Sequence, residues 1–168
     1  MPIGIKGIPM SYEADRALQV AGEMERLGHT FYVSLASGSG DKEIAALALK
    51  CAKEEEFHIT AFKRMRESLP DVHRGPKLSE EELFTASKEL RDRIMPKAEE
   101  VRKIALSRDL RKALDMAIGM EDESVSYYTY LAAGKMGFNA AVLNLIVDEE
   151  KRHVNLIRGH RQRLFPQG

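Results

Sequence analysis

Apolar positions recur at alternating steps of three and four over four long stretches, at roughly residues 12–36, 42–68, 108–134 and 139–163. That spacing is the buried seam of a packed α-helix. The first seam runs Ala14, Leu18, Ala21, Glu25, Gly28, Tyr32, Leu35, and the second Ile44, Ala48, Cys51, Glu55, His58, Phe62, Met65. The third runs Leu110, Leu114, Ala117, Glu121, Ser124, Tyr128, Leu131, and the fourth Leu143, Ile146, Glu150, His153, Ile157. Each seam carries ionisable residues where core residues belong: one Glu in helices 1 and 3, and a Glu-x-x-His pair in helices 2 and 4.

Helix signals between the seams agree with four long helices. Ser11 is placed to cap the first, which should end near the Ala36–Asp41 stretch, where Asp41 can cap the second. The second should stop near Leu69 and Pro70, because proline disfavours helical geometry in the residue before it. Between Pro70 and about Ser107 lie Gly75-Pro76, a capping box from Ser79 to Glu82, an amphipathic run through Leu90 and Ile94, and Pro96. One or two short helices are expected there. The third long helix should begin near Asp109 and the fourth after the Gly134 to Asn139 turn.

The chain also repeats itself. Glu25 and Glu121 are 96 residues apart in similar surroundings, and the Glu-x-x-His pairs at Glu55 and Glu150 are 95 apart. Such a repeat predicts a duplicated helical hairpin. The interval 70–107 is long enough to cross the bundle and leave helices 2 and 3 roughly parallel. The expectation is an all-α four-helix bundle of two duplicated hairpins, forming a single domain over residues 1–168 with a long helical crossover.

Residues three apart on a helix share a face, so the carboxylate and imidazole of each pair can converge on one ion. Four inward carboxylates, Glu25, Glu55, Glu121 and Glu150, and two imidazoles, His58 and His153, then meet in the bundle. Uncompensated, four buried carboxylates would cost many kcal/mol; two divalent cations cancel their charge. Mixed carboxylate and imidazole ligation suits iron, manganese or zinc rather than calcium or magnesium, with iron the leading candidate. One Glu from each of two helices and Glu-x-x-His from the other two is the ligand set of di-iron and di-manganese carboxylate bundles.

Neighbouring residues have two readings each. Tyr32 and Tyr128 are core tyrosines needing a hydrogen-bond partner, or contacts to a ligating carboxylate. Glu54 and Glu149 are solvated carboxylates, or acceptors for the outer nitrogen of the histidine on the opposite motif. Cys51 has Ile146 as its repeat partner and reads as a small core hydrophobe. His29, His73 and His160 have no histidine at the repeat position and are not expected to be ligands. Ala21, Gly28, Ala117 and Ser124 leave room beside Glu25 and Glu121.

On these motifs the chain resembles the ferritin-like superfamily, closest to the di-iron domain of rubrerythrin-like proteins, over the four long helices and all six ligand positions. The resemblance implies two iron ions, with Glu25 and Glu121 as terminal ligands, Glu55 and Glu150 as bridges, and His58 and His153 each holding one metal. It implies an oxidoreductase acting in oxidative stress, reducing hydrogen peroxide or dioxygen. Two departures matter. Peroxide-reducing rubrerythrins carry another Glu three residues after the third-helix ligand, where this chain has Ser124. Many also carry a rubredoxin-like site built on two Cys-x-x-Cys pairs, whereas Cys51 is the single cysteine. An external electron donor is therefore required. The alternatives are an iron-binding or storage protein without turnover, and a di-iron oxygenase acting on a small organic substrate.

Composition narrows the partners. Twenty-six basic and twenty-six acidic residues balance to zero, which favours neither nucleic acid nor an anionic membrane. The first residues show no leader pattern and no stretch is long enough to span a bilayer, so a cytoplasmic protein is expected. Phe84 and Phe165 are candidate exposed positions at a homodimer interface.

Overall fold

A computed structural model describes residues 12–91, 95–134 and 136–167. Six α-helices run in order: α1 Glu13–Gly38, α2 Lys42–Glu67, α3 Glu80–Arg91, α4 Ala98–Ala105, α5 Leu110–Ala132 and α6 Ala140–Leu164, with a 3-10 turn at Asp71–His73. Among the described residues there is no strand. The all-α expectation holds, and the crossover contains the two extra helices, α3 and α4.

The helix ends have local causes. Asp41 accepts hydrogen bonds from the backbone N–H groups of Glu43 and Ile44, Asp109 from Lys112, and Asn139 from Ala141 and Val142. Each satisfies donors that the first turn leaves free. At Ser79 the capping box forms in both directions: its N–H reaches Glu82 at 2.7 Å, and its hydroxyl accepts from the Glu82 N–H at 3.3 Å. Ser11 and Ile94 lie outside the described residues.

α1 packs along α2 and α5 along α6, and the pairs meet through α1 with α5 and α2 with α6. α3 and α4 lie over the remaining face of α1. α1 is consequently buried nearly all round: Asp15, Arg16, Gln19, Val20, Leu27 and Phe31 are enclosed although they lie off its expected seam. A network of ion pairs and hydrogen bonds fastens the crossover to it. Asp15, 1% exposed, accepts from Arg66 Nε at 2.6 Å, from Gln19 at 2.8 Å and from the Gly75 N–H at 3.2 Å. Gln19 also donates to the Pro76 carbonyl at 3.0 Å and accepts from the Leu78 N–H at 2.8 Å. The strand-free segment 74–78 thus finds its backbone partners on α1 and Arg66.

Phe84 and Phe165 are not exposed. Both are half-buried, and Phe165 packs against the core with the Arg111 guanidinium 5.1 Å over its ring. No described helix is long and apolar enough to cross a membrane.

Candidate metal centre

Midway along the four long helices the structure gathers all six ionisable seam residues. Glu25, Glu55, His58, Glu121, Glu150 and His153 are each 3% exposed or less. They form two groups whose candidate ligand atoms lie within 4.8 Å of one another: Glu25, Glu55, His58 and Glu150; and Glu55, Glu121, Glu150 and His153. Glu55 and Glu150 are common to both. Two ligands on opposite sides of a metal stand up to about 4.4 Å apart when each bond is about 2.2 Å, so either group closes on an ion with a modest inward shift. These buried groups can hold a metal ion.

Both histidines are oriented alike. His58 turns Nδ1 toward the carboxylates, 2.7 Å from Glu150, 3.1 Å from Glu25 and 3.6 Å from Glu55. His153 Nδ1 stands 3.5 Å from Glu121, 3.6 Å from Glu150 and 4.0 Å from Glu55. Their Nε2 atoms face outward and cross between the motifs: His58 to Glu149 at 2.6 Å and His153 to Glu54 at 2.5 Å. A carboxylate accepts only, so it holds the proton on Nε2 and makes Nδ1 the nitrogen that a metal in the cluster would take. The two outer contacts differ in exposure: the Glu54 side chain is 20% exposed and also receives Arg152 at 2.8 Å, while Glu149 is 49% exposed.

The tyrosines cross in the same manner. The Tyr32 hydroxyl, on α1, donates to Glu121 on α5, and the Tyr128 hydroxyl, on α5, donates to Glu25 on α1. Both are essentially buried, and each leaves one oxygen of its carboxylate free of the phenol.

Electrostatics show a cluster that lacks balance on its own. Burial, and then the neighbouring carboxylates, push Glu55 and Glu121 well above the usual carboxylate range. Burial works against the cationic histidines, but the nearby Glu121 and Glu150 carboxylates outweigh it and raise His153 to about 10; Glu150, Glu25 and Glu55 raise His58 as well. Burial opposes ionisation of Glu54, yet His153 and Arg152 hold it below the usual range. Protons here stand in for a missing positive charge. Two buried atoms of the cluster, Glu150 Oε1 and His153 Nδ1, have no hydrogen-bond partner. Glu150 Oε1 lies close to His58 without the alignment a hydrogen bond needs, and both atoms belong to the metal-capable groups. A divalent cation supplies what these orphaned atoms and like charges lack.

A cavity of about 30 Å³ opens on Glu25, Glu55 and Glu121 between α1 and α5. It is walled by Met24, Leu27, Met120 and Ser124, and by Arg91, Met95 and Pro96 from the crossover. A methyl group on Gly28 would stand in ordinary contact with Glu55, 3.4 Å away, so glycine leaves space here rather than avoiding a clash. Cys51 is buried and belongs to neither ligand group. His29 bonds Glu56 at the surface, and His73 and His160 stand apart from the cluster.

Sequence reasoning missed Arg152, Arg91, Met95 and Pro96. Nothing in a helical period signals them, because Arg91, Met95 and Pro96 lie in the crossover and Arg152 lies off the α6 seam, so all four reach the site through tertiary packing alone. Fold and site together define an all-helical bundle with a buried carboxylate–histidine cluster able to hold metal. No family model, no curated protein and no solved structure matches the chain.

Proposed function

We propose that the cluster is a dinuclear iron centre and that the chain is a rubrerythrin-like oxidoreductase, reducing hydrogen peroxide or dioxygen with electrons from an external donor. The observation that carries this reading is the sharing of Glu55 and Glu150 by two groups that otherwise hold one Glu and one His each. On that basis Glu55 and Glu150 would be shared by two irons, Glu25 and Glu121 would each serve one, and each histidine would hold one metal through Nδ1. The crossed contacts and the internal repeat support a ferritin-like pair of duplicated hairpins. Manganese or zinc fits the same donors.

Iron, when bound, supplies redox equivalents and Lewis acidity to an oxygen species. The protein's own residues do the rest. Glu54 and Glu149 lock the histidine tautomers, and Tyr32 and Tyr128 hold the terminal carboxylates from outside the cluster. The cavity of about 30 Å³ has room for roughly two water-sized molecules. That size favours peroxide or dioxygen over an organic substrate. Ser124 gives its wall a hydroxyl where peroxide-reducing rubrerythrins have a carboxylate, so exchange of that carboxylate with a histidine is not part of this mechanism.

The test is turnover of anaerobically iron-loaded protein with a reduced viologen dye as donor. Repeated consumption of one peroxide per two electrons is expected. A single stoichiometric oxidation that then stops would identify a metal-binding protein without turnover, and oxygen uptake dependent on an organic compound would identify an oxygenase.

A further inference from the structure

Three tyrosines on α5 lead from the cluster to the surface. Tyr128, fully buried, donates its hydroxyl to Glu25. Its ring centroid is 6.0 Å from that of Tyr127, which in turn lies 6.5 Å from Tyr130 with the two rings nearly parallel, at 18°. Tyr130 is 41% exposed. Tyr127 and Tyr130 line a groove of about 620 Å³ between α3 and α5. The other half of the repeat has no such path: 96 residues earlier stand Phe31, Tyr32 and Ser34. Only one of the two tyrosines that touch terminal carboxylates is therefore wired outward.

We propose that these residues form a one-electron relay between the cluster and the groove, with Tyr128 and Tyr130 as redox stations and Tyr127 as the aromatic bridge between them. The relay rests on the redox reading of the cluster. A phenol gives up an electron readily only when its proton has somewhere to go. At Tyr128 that acceptor is Glu25 Oε1, already hydrogen-bonded; at Tyr130 it is water in the groove. Tyr127 has neither. Its hydroxyl donates to the Ala17 carbonyl at 3.1 Å, an amide oxygen that does not take protons, and the Arg91 guanidinium, paired with Glu123 at 2.5 Å, lies 5.6 Å over its ring. It therefore conducts without stopping the charge.

The electron count closes with hydrogen peroxide as oxidant. Each oxidation of Tyr128 releases one electron from the ring and passes the phenol proton to Glu25. An electron from Tyr130 then refills Tyr128 and the proton returns to it, while Tyr130 loses its own proton to water. A thiol or ascorbate-type donor in the groove restores Tyr130 with one electron and one proton. Two such cycles deliver two electrons to the cluster and release two protons to water in the groove, and the two protons that complete conversion of one peroxide into two waters are taken up from solvent.

Two arms test the relay. In the first, metal-free protein in a Tyr12→Phe background is oxidised at its surface with a ruthenium photo-oxidant, and the buried Tyr128 radical is followed by electron paramagnetic resonance. Tyr130→Phe should lower its yield at least 10-fold, Tyr127→Phe should leave it within about 2-fold, and Tyr128→Phe should abolish it. An unchanged Tyr128 radical in Tyr130→Phe would overturn the relay. In the second arm, iron-loaded protein receives peroxide without a donor, and dityrosine-linked dimers are read by fluorescence and gel. Tyr130→Phe and Tyr128→Phe should each remove them, and Tyr12→Phe should not; dimers that persist in Tyr128→Phe would also overturn it. A chain that passes the first arm but binds no iron would contradict the metal reading and leave the relay standing.

Discussion

At the scale of single residues, the outer partners of the histidines are as much part of the site as the ligands. Glu54 is the better buried and is held by both His153 and Arg152, so Glu54→Gln should weaken metal binding about 10- to 100-fold. Glu149 is half exposed, and Glu149→Gln should cost only a few-fold; competition with a chromophoric chelator measures both. Equal effects would contradict the asymmetry. Glu150→Ala removes a carboxylate common to both groups and should bring bound metal below one per chain by elemental analysis, together with the stability that bound metal confers. The proton inventory yields a pH prediction for chelator-treated protein. His58 and His153 have folded values above the ordinary 6.5, and Glu55 and Glu121 stand above 4.5. Groups raised on folding contribute stability fully below their unfolded values and lose it as pH climbs toward the folded ones. Melting temperature with chelator should therefore fall between about pH 6.5 and 10, the span of His153. Metal-loaded protein should fall less, because the metal replaces those protons. The six positions of the cluster were legible because an ionisable side chain on an apolar seam is costly to bury unless a charge or a metal meets it there. The direction of Tyr32 and Tyr128 was not, since sequence left core packing and carboxylate contact both open, and only the crossing of α1 with α5 decides between them.

At the scale of elements, the long helices were legible to within about two residues, because their caps at Asp41, Asp109 and Asn139 act locally. The enclosure of α1 was not. Its second buried face, with Val20, Leu27 and Phe31, is covered by α3 and α4, and a one-seam reading assigns that face to solvent. The polar residues there make sense only with the segment they fasten: Asp15 and Gln19 bind backbone groups of residues 75–78. Asp15→Ala removes the carboxylate that Arg66, Gln19 and the Gly75 N–H share, and should destabilise the protein by about 2–4 kcal/mol in denaturant unfolding. Limited proteolysis should then cut first within residues 70–79. A loss below about 0.5 kcal/mol would mean that the Asp15 contacts do not hold the crossover.

At the scale of the whole molecule, the packing of α1 along α2 and of α5 along α6 brings four carboxylates together without loss of the fold. Glu55 and Glu150 meet the same two groups from opposite hairpins, and Tyr32 and Tyr128, like Glu54 and Glu149, reach across rather than within their own halves. The site is therefore a product of assembly, and neither hairpin contains it. What sequence periodicity could not supply is the wall that the crossover adds, with Arg91, Met95 and Pro96 closing the cavity beside Glu25 and Glu121. The central claim is that the cluster holds two metals, and metal content per chain tests it most directly. Untagged protein is loaded anaerobically with ferrous iron, freed of excess and measured by elemental analysis. Close to two irons per chain is the expected result, and a chain that stays empty, or binds iron equally well after Glu150→Ala, would contradict it.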